Sequence, residues 1–195
     1  MSALPKPKLS ADEYLARERV ANHKSEYYFG EAFAMAGASF EHNQIEQNIA
    51  RILGNQLLER PCQVIGSNLR VECSPGQGYS YPDAVVVCGK PQFRAGTFDV
   101  LLNPQLLIEI LSPTTEAFDR GAKAALYRAM PTLTDYVLIA QTEPRVEHFH
   151  REEAGYWRFT ESAGLDAILS LPSIACELPL RGVYAKVEFT KASNH

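Results

Sequence analysis

The sequence predicts an α/β (α+β) domain with a central mixed β-sheet flanked by helices. Three observations carry this. Two apolar runs, Ala84–Cys88 and Leu106–Leu111, are interrupted only by Glu109, as expected of strands buried on both faces. The second run leads through a helical stretch into a third, Tyr136 to Ala140, an order that implies a right-handed crossover between parallel neighbours. Arg145 to Arg151 and Tyr156 to Glu161 then alternate apolar and polar residues around Glu-Glu-Ala-Gly, which predicts an antiparallel hairpin at the sheet edge, open on one face.

The remaining elements follow in chain order. Ser10 before Ala-Asp-Glu predicts an N-cap and an acidic first turn, opening a short helix that runs to about Arg19. Glu26 to Phe29 and Ala32 to Met35 flank Gly30-Glu31 and predict two short strands around a tight turn. From Glu41 to Arg60, Ile45, Ile49, Ile52, Leu53, Leu57 and Leu58 recur at three- and four-residue steps, the pattern of an amphipathic helix that Pro61 ends. Val64-Ile65 and Asn68 to Val71, read as a strand, and the turn-rich Ser74-Pro-Gly-Gln-Gly lead into Tyr81-Pro82-Asp83. Thr115 to Met130 has helical spacing, with threonines before it and Pro131 after it. The segment through Leu180 and Val183-Tyr184 is apolar enough to pack back on the domain. Residues 1–9 and 190–195 read as loose tails.

At 195 residues the chain has the size of one domain, so 1–195 is read as a single unit. Its 46% apolar and 22% charged residues exclude a disordered chain. No run reaches the roughly 18 apolar residues of a membrane span, and the N-terminus has no apolar leader core, so a cytoplasmic protein with no membrane association is expected. A net charge of −4 gives no overall attraction to a polyanion, so nucleic acid would have to be met by a local basic patch or by bound cations. Cys62, Cys73, Cys88 and Cys176 form no C-x-x-C pair and signal neither a zinc site nor a disulfide framework; they are expected to be buried thiols.

Chemistry starts at Glu109. A carboxylate inside Leu-Leu-Ile-Glu-Ile-Leu is costly to bury without a partner, and a metal cation or a buried basic side chain would each serve. Asp83 opens the other apolar strand behind Pro82, where proline removes no needed ladder hydrogen bond. Strands joined by the loop 89–105 can pair and bring both carboxylates to one sheet edge. That arrangement binds Mg²⁺ while leaving positions for water, and such an ion polarises a phosphate oxygen and activates water. Lys123 follows on the next helix, spaced by fours with Asp119 and Tyr127, so the three share a face; a plain surface ion pair has the same spacing. Glu31 and His42 are candidates to approach from the N-terminal elements, and Ser112 either binds phosphate or caps the next helix. His148 and His150 suggest a metal pair, but no third ligand is evident and solvent exposure is expected for both.

Tyr-Pro-Asp-Ala-Val-Val-Val-Cys, the stretch from Leu-Leu-Ile-Glu-Ile-Leu-Ser-Pro to Ala-Lys-Ala-Ala-Leu-Tyr-Arg, and Asp-Tyr-Val-Leu-Ile resemble the Uma-two family of restriction endonucleases. Glu-Tyr-Tyr-Phe-Gly-Glu-Ala-Phe-Ala-Met-Ala-Gly-Ala-Ser with His42 extends the resemblance over roughly residues 10–185. The resemblance implies a restriction-endonuclease-like fold of the PD-(D/E)xK nuclease superfamily and a metal-dependent endonuclease acting on DNA. It also implies Mg²⁺ or Mn²⁺ on Asp83 and Glu109, and a pattern of Asp followed by Glu-x-Lys. Leu111 stands where that lysine belongs, and Lys123 is its expected replacement. Cutting both strands of a duplex calls for two sites, hence a homodimer. The alternative is a nuclease fold that has lost catalysis and serves as a nucleic-acid- or protein-binding module.

Overall fold

The computed structural model describes residues 8–189. Helix α1 (Ala11–Glu18) begins at a capping box: Ser10 Oγ accepts the Glu13 N–H at 3.3 Å, and Glu13 Oε2 accepts the Ser10 N–H at 2.9 Å. Strands β1 (Ser25–Tyr28) and β2 (Glu31–Ala34) pair antiparallel around Phe29 and Gly30, whose φ angles are 51° and 97°. A Cβ on Gly30 would sit 2.7 Å from the Lys8 side chain, so both conformation and space require glycine there. The expectation of a loose segment 1–9 is corrected for its last residue, because Leu9 N–H donates to Gly30 O and Leu9 O accepts from the Tyr27 hydroxyl. Residues 1–7 and the expected tail 190–195 lie outside the described residues.

Helix α2 (Phe40–Leu57) buries Ile45, Ile49, Leu53 and Leu57, a four-residue spacing that keeps one stripe against the core. Strands β3 (Cys62–Gly66), β4 (Arg70–Ser74), β5 (Gly78–Ser80), β6 (Ala84–Cys88), β7 (Val100–Leu101) and β8 (Leu106–Leu111) follow. Next come α3 (Glu116–Phe118), a π-helical turn over Asp119–Lys123, α4 (Ala124–Ala129), β9 (Asp135–Ala140), β10 (Arg145–Arg151) and β11 (Trp157–Ala163). Strand β12 (Ile168–Leu171), a 3₁₀ turn (Pro172–Ile174), β13 (Cys176–Pro179) and α5 (Leu180–Val183) complete the chain.

The central sheet is mixed and six-stranded, in the order β11-β10-β9-β8-β6-β3, with β8 and β9 parallel and every other neighbour antiparallel. A second sheet, β2-β1-β5-β4-β7, was not expected. It forms because the turn at 74–78 folds β5 back on β4, and because Val100–Leu101 adds a short parallel strand. Both faces of the sheet's central strands are covered, while the β11 edge is largely exposed. Val86, Ile108, Ile110, Val137 and Ile139 meet α2 and α5 on one side. Val85, Val87, Leu107, Leu111, Tyr136 and Leu138 meet Ala124 and Tyr127 on the other. Period-two alternation therefore sends consecutive residues of β6 and β8 into two different cores, which is why these strands read as unbroken apolar runs.

Three further expectations are corrected. The predicted helix Thr115 to Met130 is present over Glu116–Ala129 but is not a regular α-helix, because its middle is a π turn containing Gly121, a weak helix former. Cys62 and Cys88, paired across β3 and β6, form a disulfide, while Cys73 and Cys176 are the buried free thiols. A sequence separation of 26 hid a cross-strand neighbour that only sheet topology reveals. Neither histidine is fully exposed: only 3% of His148 is accessible, with its Nε2 2.6 Å from the buried Asp135, and His150 is half-buried. Among the described residues, no helix is long and apolar enough to cross a membrane.

Candidate active site

Strands β6 and β8 pair Ala84 with Ile108, so one step further along the ladder Asp83 stands across from Glu109. The chain enters this position through Tyr81, whose hydroxyl donates to Glu18 Oε1 at 3.0 Å and accepts from Arg70 Nη2 at 2.6 Å. Asp83 is tied on both oxygens. Oδ2 accepts the Ile110 N–H at 2.7 Å, and Oδ1 lies 2.9 Å from His42 Nε2 on the first turn of α2.

Glu109 is only 4% exposed and shares its face with Leu107 and Leu111. Its Oε1 accepts the Tyr127 hydroxyl at 2.7 Å and lies 3.0 Å from Lys123 Nζ. Among the described residues no hydrogen bond or ion pair reaches Glu109 Oε2. Lys123 is also buried, and its ammonium stands 3.0 Å from Glu26 Oε1 and 3.3 Å from Asp119 Oδ1. The π turn brings Asp119 and Lys123 inward together, so the helix presents to the sheet what an ordinary i,i+4 pair presents to water.

Glu26 is the member that sequence reasoning missed. It reaches the cluster from β1 and is held by the Tyr81 N–H at 3.2 Å on Oε1 and the Tyr28 hydroxyl at 3.1 Å on Oε2. The available signal was a carboxylate inside the otherwise aromatic Glu-Tyr-Tyr strand, the same anomaly that singled out Glu109. Glu31, the acid chosen instead, is exposed on β2 and has no hydrogen bond or ion pair with the cluster. Ser112 lies beyond the strand end, where its hydroxyl contacts those of Thr114 and Thr115 and its carbonyl accepts the Glu116 N–H. It shapes the turn into α3.

The electrostatics are unbalanced towards negative charge. Burial, with the nearby Asp119, Asp83 and Glu26 charges, pushes the Glu109 carboxyl well above the usual carboxylate range despite Lys123. Burial likewise raises Asp119. Burial disfavours the Lys123 ammonium, but Glu109 and Glu26 outweigh it and hold the amine charged. Burial also works against charged His42, and the Asp83 hydrogen bond and charge overcome it, so its pKa rises. Among the described residues, Asp119 Oδ1 is held only by its 3.3 Å ion pair to Lys123, whose geometry falls short of a directed hydrogen bond. Three acids, Glu26, Glu109 and Asp119, thus surround one ammonium, while Asp83 pairs with His42, so the Lys123 cluster is short of positive charge in a desolvated place. Asp83 and Glu109, offering hard carboxylate oxygens from adjacent strands, are the residues that could hold a cation there, with water completing its shell.

Residues 11–181 match the Uma2 family, described as "Putative restriction endonuclease". Two uncharacterized proteins of Synechocystis sp. are similar over most of their length. The protein sll1609 is 36% identical over 82% of this chain and 90% of its own, and slr1290 is 35% identical over 95% and 96%. The crystal structure of "a putative nuclease belonging to DUF820" from Anabaena variabilis superposes with a TM-score of 0.75. It is 18% identical and covers 91% of this chain and 98% of its own. The fold is therefore that of a solved nuclease-like protein, and the chain belongs to the Uma2 family of putative restriction endonucleases.

Proposed function

We propose that this protein is a metal-dependent phosphodiesterase that cuts DNA, with Mg²⁺ or Mn²⁺ held by Asp83 and Glu109. The observation that carries the reading is the register of β6 and β8, which sets two carboxylates across from each other with an ammonium 3.0 Å from one of them. A divalent ion bound there would polarise a phosphate oxygen and lower the pKa of its water. The protein's own groups do the rest. Asp83 is oriented by Ile110 N–H and His42, Glu109 by Tyr127, and Lys123 is placed to neutralise charge developing on phosphorus or to orient the attacking water. The aromatic side chains of Tyr28, Phe33 and Phe118 stand together beside Glu26, with Phe33 and Phe118 exposed, and offer faces on which a base can stack. A homodimer would supply a second site for the other strand of a duplex.

The test is incubation of the purified chain with supercoiled and linear DNA, and separately RNA, with Mg²⁺, with Mn²⁺ and with chelator. Metal-dependent nicking or linearisation of DNA, lost in Asp83→Asn and Glu109→Gln, is the expected result. One specific feature favours a non-catalytic module, because three carboxylates already hold the Lys123 ammonium and the usual Glu-x-Lys position is Leu111. Mn²⁺ and DNA binding without product at any incubation time would establish that reading and overturn ours. Sedimentation with and without DNA checks the dimer.

A further inference from the structure

A second group of ligating side chains lies away from the acidic cluster. Strands β9 and β10 pair Asp135 with His150 and Val137 with His148, so Asp135, His148 and His150 project from one face of the hairpin. Both imidazoles converge on a single carboxylate oxygen: His148 Nε2 lies 2.6 Å and His150 Nδ1 2.7 Å from Asp135 Oδ1. One ligand atom from each of the three residues lies within 4.8 Å of the others. The other carboxylate oxygen is hydrogen-bonded by Ser173 Oγ from the 3₁₀ turn.

We propose that Asp135, His148 and His150 form a transition-metal site of the Zn²⁺ class, with three protein donors and a fourth position for water. The donor types select the ion. Two imidazoles and one carboxylate suit Zn²⁺ and its first-row neighbours, whereas Mg²⁺ prefers an all-oxygen shell. Bonds of about 2.0–2.1 Å in a tetrahedron separate neighbouring donors by roughly 3.3 Å. Each imidazole nitrogen therefore has to withdraw from Asp135 Oδ1 by well under an ångström, and the two nitrogens, which lie within 4.8 Å of each other, have to settle at that same spacing. Ser173 fixes the carboxylate from outside, the supporting role that metal-bound carboxylates commonly require. Asp135 and His148 are buried, and His150 keeps 14% of its side chain accessible, which leaves an approach to the fourth position.

This site is separate from the one built on Asp83 and Glu109. Asp135 is level with Leu106 on the neighbouring strand, three residues before Glu109, and it shares its face with Val137 and Ile139 on the α2 side. Glu109 faces α4 across the opposite side of the sheet. Without a metal, the same three side chains make a hydrogen-bonded clasp between β9, β10 and the 3₁₀ turn. Metal binding would replace two N–H donations by two nitrogen lone pairs.

The experiment uses the full chain without a histidine tag, stripped with chelator and then titrated with Zn²⁺ against a chromophoric chelator. Wild type should take up a single tight equivalent, and Co²⁺ in its place should give the intense visible band of a tetrahedral complex. The His148→Gln/His150→Gln double variant should bind at least about 100-fold more weakly, and Ser173→Ala about 10-fold more weakly. Asp83→Asn should bind like wild type, which separates this test from that of the nuclease reading. If the buried His148 replacement does not fold, His150→Gln alone is read the same way. Absence of a stoichiometric Zn²⁺ equivalent in wild type, or equal affinity in a folded variant lacking either histidine, overturns the proposal.

Discussion

Asp83 Oδ2 accepts the backbone N–H of Ile110 at 2.7 Å, so the first acid is fastened to the strand that carries the second. The position of the Asp83 carboxylate relative to Glu109 is thereby set by a hydrogen bond from the β8 backbone and not left to side-chain flexibility. Asp83→Ala removes the acceptor and leaves a buried N–H unsatisfied, a cost of about 1–3 kcal/mol. Asp83→Asn keeps a carbonyl oxygen for Ile110 while removing the charge. We expect both to lose cleavage and Mn²⁺ binding, but only Asp83→Ala to lower the melting temperature appreciably. Equal melting temperatures in calorimetry would show that this hydrogen bond does not hold the pair.

Glu109 gives a pH dependence with a definite sign. Its folded-state pKa is raised above the unfolded value by burial and by its acidic neighbours, so the fold favours its protonated form. The associated stability is complete below the ordinary carboxylate range and is lost progressively as pH rises towards the folded value. Glu109→Gln removes the titration but keeps the shape. In metal-free buffer, the melting temperature of Glu109→Gln should gain on that of wild type as pH rises from 5 to 8. Mg²⁺ should close the gap. Curves that run parallel across this window would contradict the raised pKa.

Much of this was readable because certain residues were out of place. Glu109 stood in an apolar strand and Asp83 opened another, and β6 and β8 fall where their uninterrupted runs predict. What escaped was long-range. Strands β5 and β7 have three and two residues and no periodicity of their own; they exist because neighbours supply the ladder. Glu26 could be weighed only once β1 was known to lie against β5 and to run beneath Lys123. The same limit concealed Asp135 as the third partner of His148 and His150, since the three meet only through strand register.

Tyr127 offers a test of how Glu109 is positioned. Its hydroxyl donates to Glu109 Oε1 and lies 2.9 Å from Ser80 Oγ, while its ring packs edge-on against Tyr136. Tyr127→Phe keeps the ring and deletes the donor, leaving a buried carboxylate with one fewer hydrogen bond. Stability should fall by about 1–3 kcal/mol. Cleavage should be reduced but not abolished, because both proposed metal-holding acids remain. Urea unfolding together with a nicking assay checks both, and complete loss of activity with unchanged stability would assign the hydroxyl a direct part in the chemistry.

The Cys62–Cys88 bond closes a segment with a sequence separation of 26, at the end of β6 remote from Asp83. Loop-closure entropy for that length corresponds to about 3.5 kcal/mol. Reduction, or Cys62→Ser/Cys88→Ser, should therefore lower stability by about 2–4 kcal/mol and leave cleavage unchanged. Thiol titration of the denatured oxidised protein should find only Cys73 and Cys176. A chain working in a reducing compartment would carry this pair as thiols and operate at the lower stability.

Lys123 distinguishes a buried cluster from a surface ion pair most sharply. An exposed pair contributes at most about 1 kcal/mol, and its loss is nearly silent. Here one ammonium lies within 3.3 Å of carboxylate oxygens from Glu26, Glu109 and Asp119, all four residues being buried. Lys123→Met fits the aliphatic stem but leaves those acids facing one another, so the cost should be that of breaking a buried pair, about 3–5 kcal/mol at neutral pH. Acidification should recover part of it by protonating the carboxylates, and Mn²⁺ should recover part at neutral pH by supplying the missing positive charge. Differential scanning fluorimetry at pH 5 and pH 8, with and without Mn²⁺, reads all of these effects. A Lys123→Met protein as stable as wild type at pH 8 would mean that the amine is not the charge that balances this site.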